Sequence, residues 1–262
     1  MNNLRSLFLL AVPALFVVAF GLFALPSNDD IPAMAPAFNR PGGDASVSLP
    51  ADIPVHQRNI ARAEGLAQTA APNEYVDALI ERLSFLSMPV RGARVPDFAG
   101  QLPGSPRSYR NGVHEGVDIY GPPKGTPIYA AGSGVIIRAD IDYEELTDAE
   151  RTAILKEAAS SSDTPDDILD RLNGRQVWIH HGDGVITRYS HLDGIPDGIV
   201  PGKAVDADTV IGYMGNSGTS DAVANSQDGV HLHFEIIVDG YSFWKDLNLE
   251  QVKQVLKAVL TP

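Results

Sequence analysis

The eight residues His231-Leu232-His233-Phe234-Glu235-Ile236-Ile237-Val238 leave this chain little choice of local structure. Successive side chains of a strand point to opposite faces, so Leu232, Phe234, Ile236 and Val238 form an apolar face while His231, His233 and Glu235 share the other. The reading is a core strand that presents two imidazoles side by side. At about 3.3 Å rise per residue they stand roughly 6.5 Å apart, close enough to address one metal-bound species together. A half-exposed strand with incidental histidines is the plainer alternative, and the rest of the chain has to decide between them.

Composition removes several classes of function. A chain of 262 residues that is 44% hydrophobic can bury one core of ordinary size with appendages. Its net charge of -13, with Lys and Arg scattered, argues against nucleic acid as a partner. With no cysteine, disulfides, thiolate metal sites and a catalytic thiol are all excluded, so a metal would have to be held by His and carboxylates.

Residues 6–25 carry no charge and follow Arg5, and as a helix they would span about 30 Å, the thickness of a bilayer core. Residues 1–25 are therefore expected to be an uncleaved signal anchor, although Ala19-Phe20-Gly21 would suit cleavage. With Arg5 inside, the remainder lies beyond the membrane, in the periplasmic or extracytoplasmic envelope, anchored in the inner membrane. Residues 26–54, rich in Pro, Ala, Asn, Asp and Gly, read as a flexible stalk, and residues 55–87 as a helical neck. In the neck, Val76, Leu79, Ile80 and Leu83 take helical spacing behind an Asn73 cap. His56 is expected to be solvated.

Residues 88–247 have the Gly, Pro and short β-branched runs of a small antiparallel β domain. Ile128–Ala131 and Gly134–Arg138 read as strands, and Gln176–His181 and Val185–His191 as a hairpin across Gly182-Asp183-Gly184. Within the second hairpin strand Thr187, Tyr189 and His191 are expected on one face, with further short strands between Val200 and Gly218. Residues 248–262 form an amphipathic helix capped by Asn248. His114-Glu115-Gly116-Val117-Asp118 spaces an imidazole and a carboxylate like a helical zinc motif. Gly116, Val117, Ile119 and then Gly121-Pro122-Pro123 make a helix untenable there, so loop-to-strand geometry is expected and Glu115 is not taken as a base.

His114, Asp118, His191, His231 and His233 thus form a set of metal- or proton-capable groups along one β domain. HxxxD at His114–Asp118, YSHL at Tyr189–Leu192, GNSGTS at Gly215–Ser220 and HLHFE at His231–Glu235 resemble the lysostaphin-type (LytM-like, beta-lytic) zinc metallopeptidases, from about Pro89 to Trp244. The resemblance implies an antiparallel β core with one Zn2+ per chain, held by His114, Asp118 and His233. It makes His191 and His231 the catalytic pair. Two imidazoles and one carboxylate leave zinc a position for water, as catalytic sites require. Neutral imidazoles titrating near 6.5 suit general acid–base work. Glu235 is a candidate to hydrogen-bond a ligand, Tyr189 either contacts substrate or packs, and His180 and His181 are not taken as ligands.

The implied function is a zinc endopeptidase acting on cross-links or stem peptides of peptidoglycan. The alternative is a non-hydrolytic LytM-like module that binds and activates a cell-wall amidase, with an activating or regulatory envelope protein as a further partner. One segment lies outside that scheme. Residues 140–173 interrupt the β core with eleven acidic and three basic side chains, a net -8 of the chain's -13. A capping box at Thr147-Asp148-Ala149-Glu150 and a cap at Thr164 ahead of Pro165 predict two short helices, with Leu146, Ile154, Leu155, Ile168, Leu169 and Leu172 turned inward. They are expected either to elaborate the surface or to border the groove as a lid or docking surface.

Overall fold

The structure is a computed structural model and describes residues 66–67 and 69–261. The apolar run at 6–25, the stalk at 26–54, His56 and the first part of the 55–87 stretch lie outside these residues. Among those described, no helix is long and apolar enough to cross a membrane.

The strands, in chain order, are β1 (Val117–Tyr120), β2 (Pro127–Tyr129), β3 (Gly134–Ala139), β4 (Val177–Gly182), β5 (Val185–Ser190), β6 (Leu192–Gly194), β7 (Ala204–Val205), β8 (Val210–Met214), β9 (His231–Val238) and β10 (Tyr241–Ser242). The helices are α1 (Asn73–Leu83), α2 (Asp148–Ser160), α3 (Asp166–Leu172), α4 (Ser220–Val223) and α5 (Leu249–Val259). The larger sheet runs β1-β9-β5-β4-β3-β7 with β10 beside β9, and the smaller runs β2-β8-β6. Every pairing is antiparallel, as the many short Gly-punctuated strands required.

Directly paired residues of an antiparallel ladder share a face, so register decides which side chains meet. Val117 pairs with Phe234 and Ile119 with Leu232, which gives β1 and β9 one apolar face. Tyr189 of β5 pairs with Phe234 on the same side. These residues join Val76, Leu79 and Leu83 of α1 and Val252, Val255, Leu256 and Val259 of α5 in the main core. Phe234 is 1% exposed, and a side chain buried that fully contributes about 1.5–3 kcal/mol. The helix expected in the 55–87 stretch is therefore α1, and its apolar face is part of the core.

The β4–β5 hairpin turns where the glycines demanded it: Gly182, Asp183 and Gly184 all have positive φ (90°, 45° and 70°), conformations that glycine adopts without a Cβ clash. Strands β3 and β4 pair directly although residues 140–173 intervene, and Asp140 N–H donates to the Gln176 carbonyl at 3.0 Å where the insertion closes. Its helices α2 and α3 bury Ile154, Ala158, Ile168 and Leu172 in a small cluster of their own, with Leu146 and Leu155 partly buried against it.

Capping follows the sequence in two places and departs from it in two. Thr147–Glu150 and Asn248–Gln251 are reciprocal capping boxes on α2 and α5. Asn73 is the first residue of α1 and makes no cap bond; Pro72 precedes it. Thr164 does not cap α3 either, since Pro165 occupies that position. The Thr164 hydroxyl is drawn away by the carbonyls of Arg110 and Asn111, on the segment that leads to His114.

Candidate metal centre

The β1–β9 register sets Asp118 opposite His233, on the face turned away from the apolar core. His114 precedes β1, and a hydrogen bond from its Nδ1–H to the Leu102 carbonyl (3.0 Å) turns Nε2 inward. That atom lies 2.8 Å from Asp118 Oδ1 and 3.0 Å from His233 Nδ1, and His233 Nδ1 lies 2.9 Å from the same carboxylate oxygen. One nitrogen of each imidazole and one oxygen of the carboxylate thus lie within 4.8 Å of one another, all on buried residues. Gly116 permits this closeness: a Cβ there would stand 2.3 Å from the Phe234 carbonyl oxygen, so any larger residue would push the His114 segment off β9.

The charges suit a cation at this point. Burial pushes the Asp118 carboxyl up, but the His114 and His233 imidazoles outweigh it and hold it well below the usual carboxylate range. Burial alone would depress His233, yet the Asp118 and Glu235 carboxylates on either side of its ring raise it to about 10. A proton held that firmly between two carboxylates marks the place for a positive charge, which a divalent metal could take once Nδ1 releases the proton. His233 Nε2–H donates to Glu235 Oε1 at 3.2 Å, fixing the ring with Nδ1 toward the centre. Two imidazole nitrogens and one carboxylate oxygen are the donor set of a zinc site with an open position.

His191 and His231 stand beside these groups, with ring centroids 4.6 Å apart. Each is oriented by the same device: Nδ1–H donates to a backbone carbonyl, Ser217 O for His191 and Gly229 O for His231, both at 2.7 Å. The remaining Nε2 of each is thereby left as an acceptor, and that of His231 lies 3.7 Å from Asp118 Oδ1. Burial lowers both, His191 to well below the ordinary histidine range with help from His231 and His233, so both are neutral at pH 7. All five residues singled out in the sequence line one cleft of about 890 Å3. Arg107 and Tyr109, Tyr120 of β1, and Arg151, Leu155 and Leu169 of the insertion also line it.

His191 does not reach the site by strand alternation. Thr187 and Tyr189 share the core face, where Tyr189 Oη accepts the Ala131 N–H at 2.7 Å and bonds Thr187; Tyr189 packs and has no place in the cleft. Strand β5 stops at Ser190, and His191 takes φ 63°, a left-handed conformation that throws its ring to the opposite face. His181 is occupied between the Ser133 carbonyl and Thr187 Oγ1.

Arg107, Arg188 and Tyr120, also near the site, carried no readable signal in the sequence. Arg107 Nη2 reaches Asp118 Oδ2 at 3.3 Å, behind the oxygen that faces the histidines. Arg188 lies 3.4 Å from Glu235 and over the Trp178 ring, and together with His233 it draws the Glu235 carboxyl down to about 2 against burial. Tyr120 stacks on His231 with centroids 4.5 Å apart and planes 12° from parallel. Glu115 is paired with Arg110 at 2.7 Å, away from the metal-capable atoms. A register would have exposed the Arg188–Glu235 and Tyr120–His231 pairs, but 40 residues of sequence separate β5 from β9 and 110 separate β1 from β9.

A model of peptidase family M23 matches residues 112–244, just over half of the chain. The peptidoglycan DD-endopeptidase ShyC of Vibrio cholerae serotype O1 is 29% identical over 128 residues, which cover 49% of this chain and 21% of that protein. Protease LasA of Pseudomonas aeruginosa is 39% identical over 66 residues, 25% of this chain and 15% of that protein. The chain thus spans about a fifth or less of the length of these two relatives. The crystal structure of a zinc-containing peptidase from Vibrio cholerae aligns at a TM-score of 0.36 with 24% identity, covering 63% of this chain and 40% of that one.

Proposed function

The chain belongs to peptidase family M23, and from that premise we propose that it is a zinc-dependent endopeptidase hydrolysing peptide bonds in the cross-links or stem peptides of peptidoglycan. The observation that carries the reading is the convergence of His114 Nε2, Asp118 Oδ1 and His233 Nδ1 within 4.8 Å, beside the His191 and His231 imidazoles, of which His231 brings Nε2 to 3.7 Å from Asp118 Oδ1 and His191 packs against both His231 and His233. In this reading those three residues hold one zinc ion. The metal supplies Lewis acidity to a peptide carbonyl and makes a water acidic enough to give up its proton near neutral pH.

The protein's own groups do the rest. His191 and His231, each holding its proton at Nδ1 against a carbonyl, keep Nε2 free to take a proton from water and deliver it to the leaving amine. Between those two transfers the protonated imidazole donates toward the developing oxyanion. Glu235, itself held by Arg188, keeps His233 in the tautomer that turns Nδ1 to the metal. Arg107 holds the outer oxygen of Asp118 so that Oδ1 faces inward. The names of relatives such as the DD-endopeptidase ShyC support peptidoglycan as substrate. The length of the apolar run at 6–25 supports an anchored, extracytoplasmic enzyme whose folded peptidase unit follows the stalk.

Purified peptidoglycan incubated with the protein should release peptide fragments whose new termini, read by mass spectrometry, identify one class of peptide bond. Chelator should abolish the release and added zinc restore it. An amidase-activating module would leave the wall intact by itself, and that result would sink the proposal.

A further inference from the structure

The insertion at 140–173 touches both segments that carry chemistry, and it does so through bonds to backbone. At its near side Thr164 Oγ1 donates to the carbonyl oxygens of Arg110 and Asn111, and Asn111 Nδ2 donates to the Ala159 and Ser161 carbonyls at 2.7 and 3.0 Å. The turn between α2 and α3 is thus pinned to the strand-leading segment of His114. At its far side the backbone of Gly218 is gripped from two directions. Its N–H donates to the Glu145 carboxylate at 3.0 and 3.1 Å, and its carbonyl accepts from Arg151 Nη1. The preceding carbonyl, Ser217 O, is the acceptor that fixes the His191 ring.

The end of α3 completes the grip. Asn173 O accepts the His191 N–H at 2.9 Å, and Arg175 N–H donates to Ser217 Oγ at 2.9 Å. Gly174 and Gly218 meet backbone to backbone, both at positive φ (67° and 76°). A Cβ on Gly174 would lie 2.3 Å from Ser217 O, and one on Gly218 would lie 2.5 Å from both Gly174 N and Leu172 O. Both hydrogen bonds that hold the left-handed His191, from its ring and from its backbone N–H, therefore go to the last residue of the insertion or to a loop the insertion holds.

We infer that this helical pair is a clamp and not a lid: Glu145 and Arg151 are positioning residues that fix the two peptides flanking Gly218, Glu145 the Ser217–Gly218 peptide and Arg151 the Gly218–Thr219 peptide, and through them the orientation and tautomer of His191. A lid has to part from the groove to admit substrate. This segment is fastened to the groove on both sides. The inference deepens the proposed function and rests on the reading that His191 handles the proton in hydrolysis. A tilted imidazole or a shifted tautomer costs rate without removing the metal or the cleft.

The test uses the full chain loaded with zinc and three variants: Glu145→Leu/Arg151→Met, Arg151→Met and Arg151→Lys. Long-range 1H–15N spectra of the histidine rings report the His191 tautomer whether or not any substrate is cleaved, so the clamp is tested separately from the activity. The wild type is expected to hold the Nδ1–H form and the double variant to show a mixture, with one zinc retained per chain. On a short peptide substrate kcat should fall about 10- to 100-fold with KM unchanged within about twofold, and Arg151→Lys, which keeps a donor for Gly218 O, should recover most of the rate. Should the double variant fail to fold, the Arg151→Met and Arg151→Lys pair is read by the same two measures. An unshifted His191 tautomer overturns the clamp, as does a rate change confined to intact peptidoglycan, the mark of a gate. If the tautomer shifts as expected while the wild type cleaves nothing, the clamp stands and the hydrolytic reading falls.

Discussion

The two faces of β9 are equally buried and are held by different physics. On one, Leu232, Phe234 and Ile236 pack against apolar neighbours from β1, β5 and the helices. On the other, His231, His233 and Glu235 are each 7% exposed or less, yet they meet carboxylates, an arginine and other imidazoles. Burial on the first face is self-sustaining, because any apolar side chain of fitting shape satisfies it. On the second, each group is tolerable only while its partners stay in place, since an unpartnered buried charge is costly. The first face should therefore govern stability and the second chemistry.

The strongest way to break that contrast is to empty the polar face of a metal-capable group. His114→Ala, Asp118→Ala or His233→Ala is expected to abolish both zinc binding and hydrolysis, as measured by metal analysis and peptide release, because a site cut to two protein ligands holds zinc poorly. Stoichiometric zinc in the His233→Ala protein would reassign the ligands. Next in size, His191→Ala and His231→Ala should keep zinc and lose on the order of 10²- to 10⁴-fold in kcat. A variant of this pair that arrives without metal would mean that ligand and base are interchanged.

On the apolar face, Phe234→Ala should cost about 3–5 kcal/mol of stability, read from denaturant unfolding, since nothing nearby can fill the space of a fully buried ring. A loss under about 1 kcal/mol would show that the two faces do not divide the work as described. The smallest effect concerns His181, a partly buried polar group outside the metal centre. Burial holds it at about 4, against the pull of the Ser133 carbonyl and with a further push from His180. The unfolded chain then takes up a proton near pH 6.5 that the folded one refuses until about 4, so stability is complete above 6.5 and declines as pH falls through that window. Thermal midpoints at pH 7 and pH 4.5 should drop further for the wild type than for His181→Gln; equal drops would remove His181 from the account.

The same contrast explains what could be read from the sequence. Alternation marked the apolar face of β9 and, by exclusion, its histidines, and the glycines marked the β4–β5 turn. Local pattern also found α2, α3 and α5. It failed where one element answers to another far along the chain. Thr164 has the composition of a cap, but the Arg110 and Asn111 carbonyls compete for its hydroxyl and Pro165 takes the capping position. His191 was placed beside Tyr189 by a period of two, which cannot anticipate that the strand ends one residue earlier in a left-handed turn. Arg107 and Arg188 look like any surface arginines until the register sets them behind Asp118 and Glu235.

The junction where Asp140 N–H meets the Gln176 carbonyl has a consequence for folding entropy. Because β3 and β4 close on each other there, bringing the ends of the connection together costs about 0.6 kcal/mol for each doubling of its length, and the ordering of its own residues is a separate cost met inside the segment. A tight turn could thus be stretched to span residues 140–173 for a few doublings, and the small cluster of Ile154, Ala158, Ile168 and Leu172 offsets that cost within the added segment itself. Length at this corner is thermodynamically cheap, which makes it a point where a sheet can acquire new side chains without renegotiating its core.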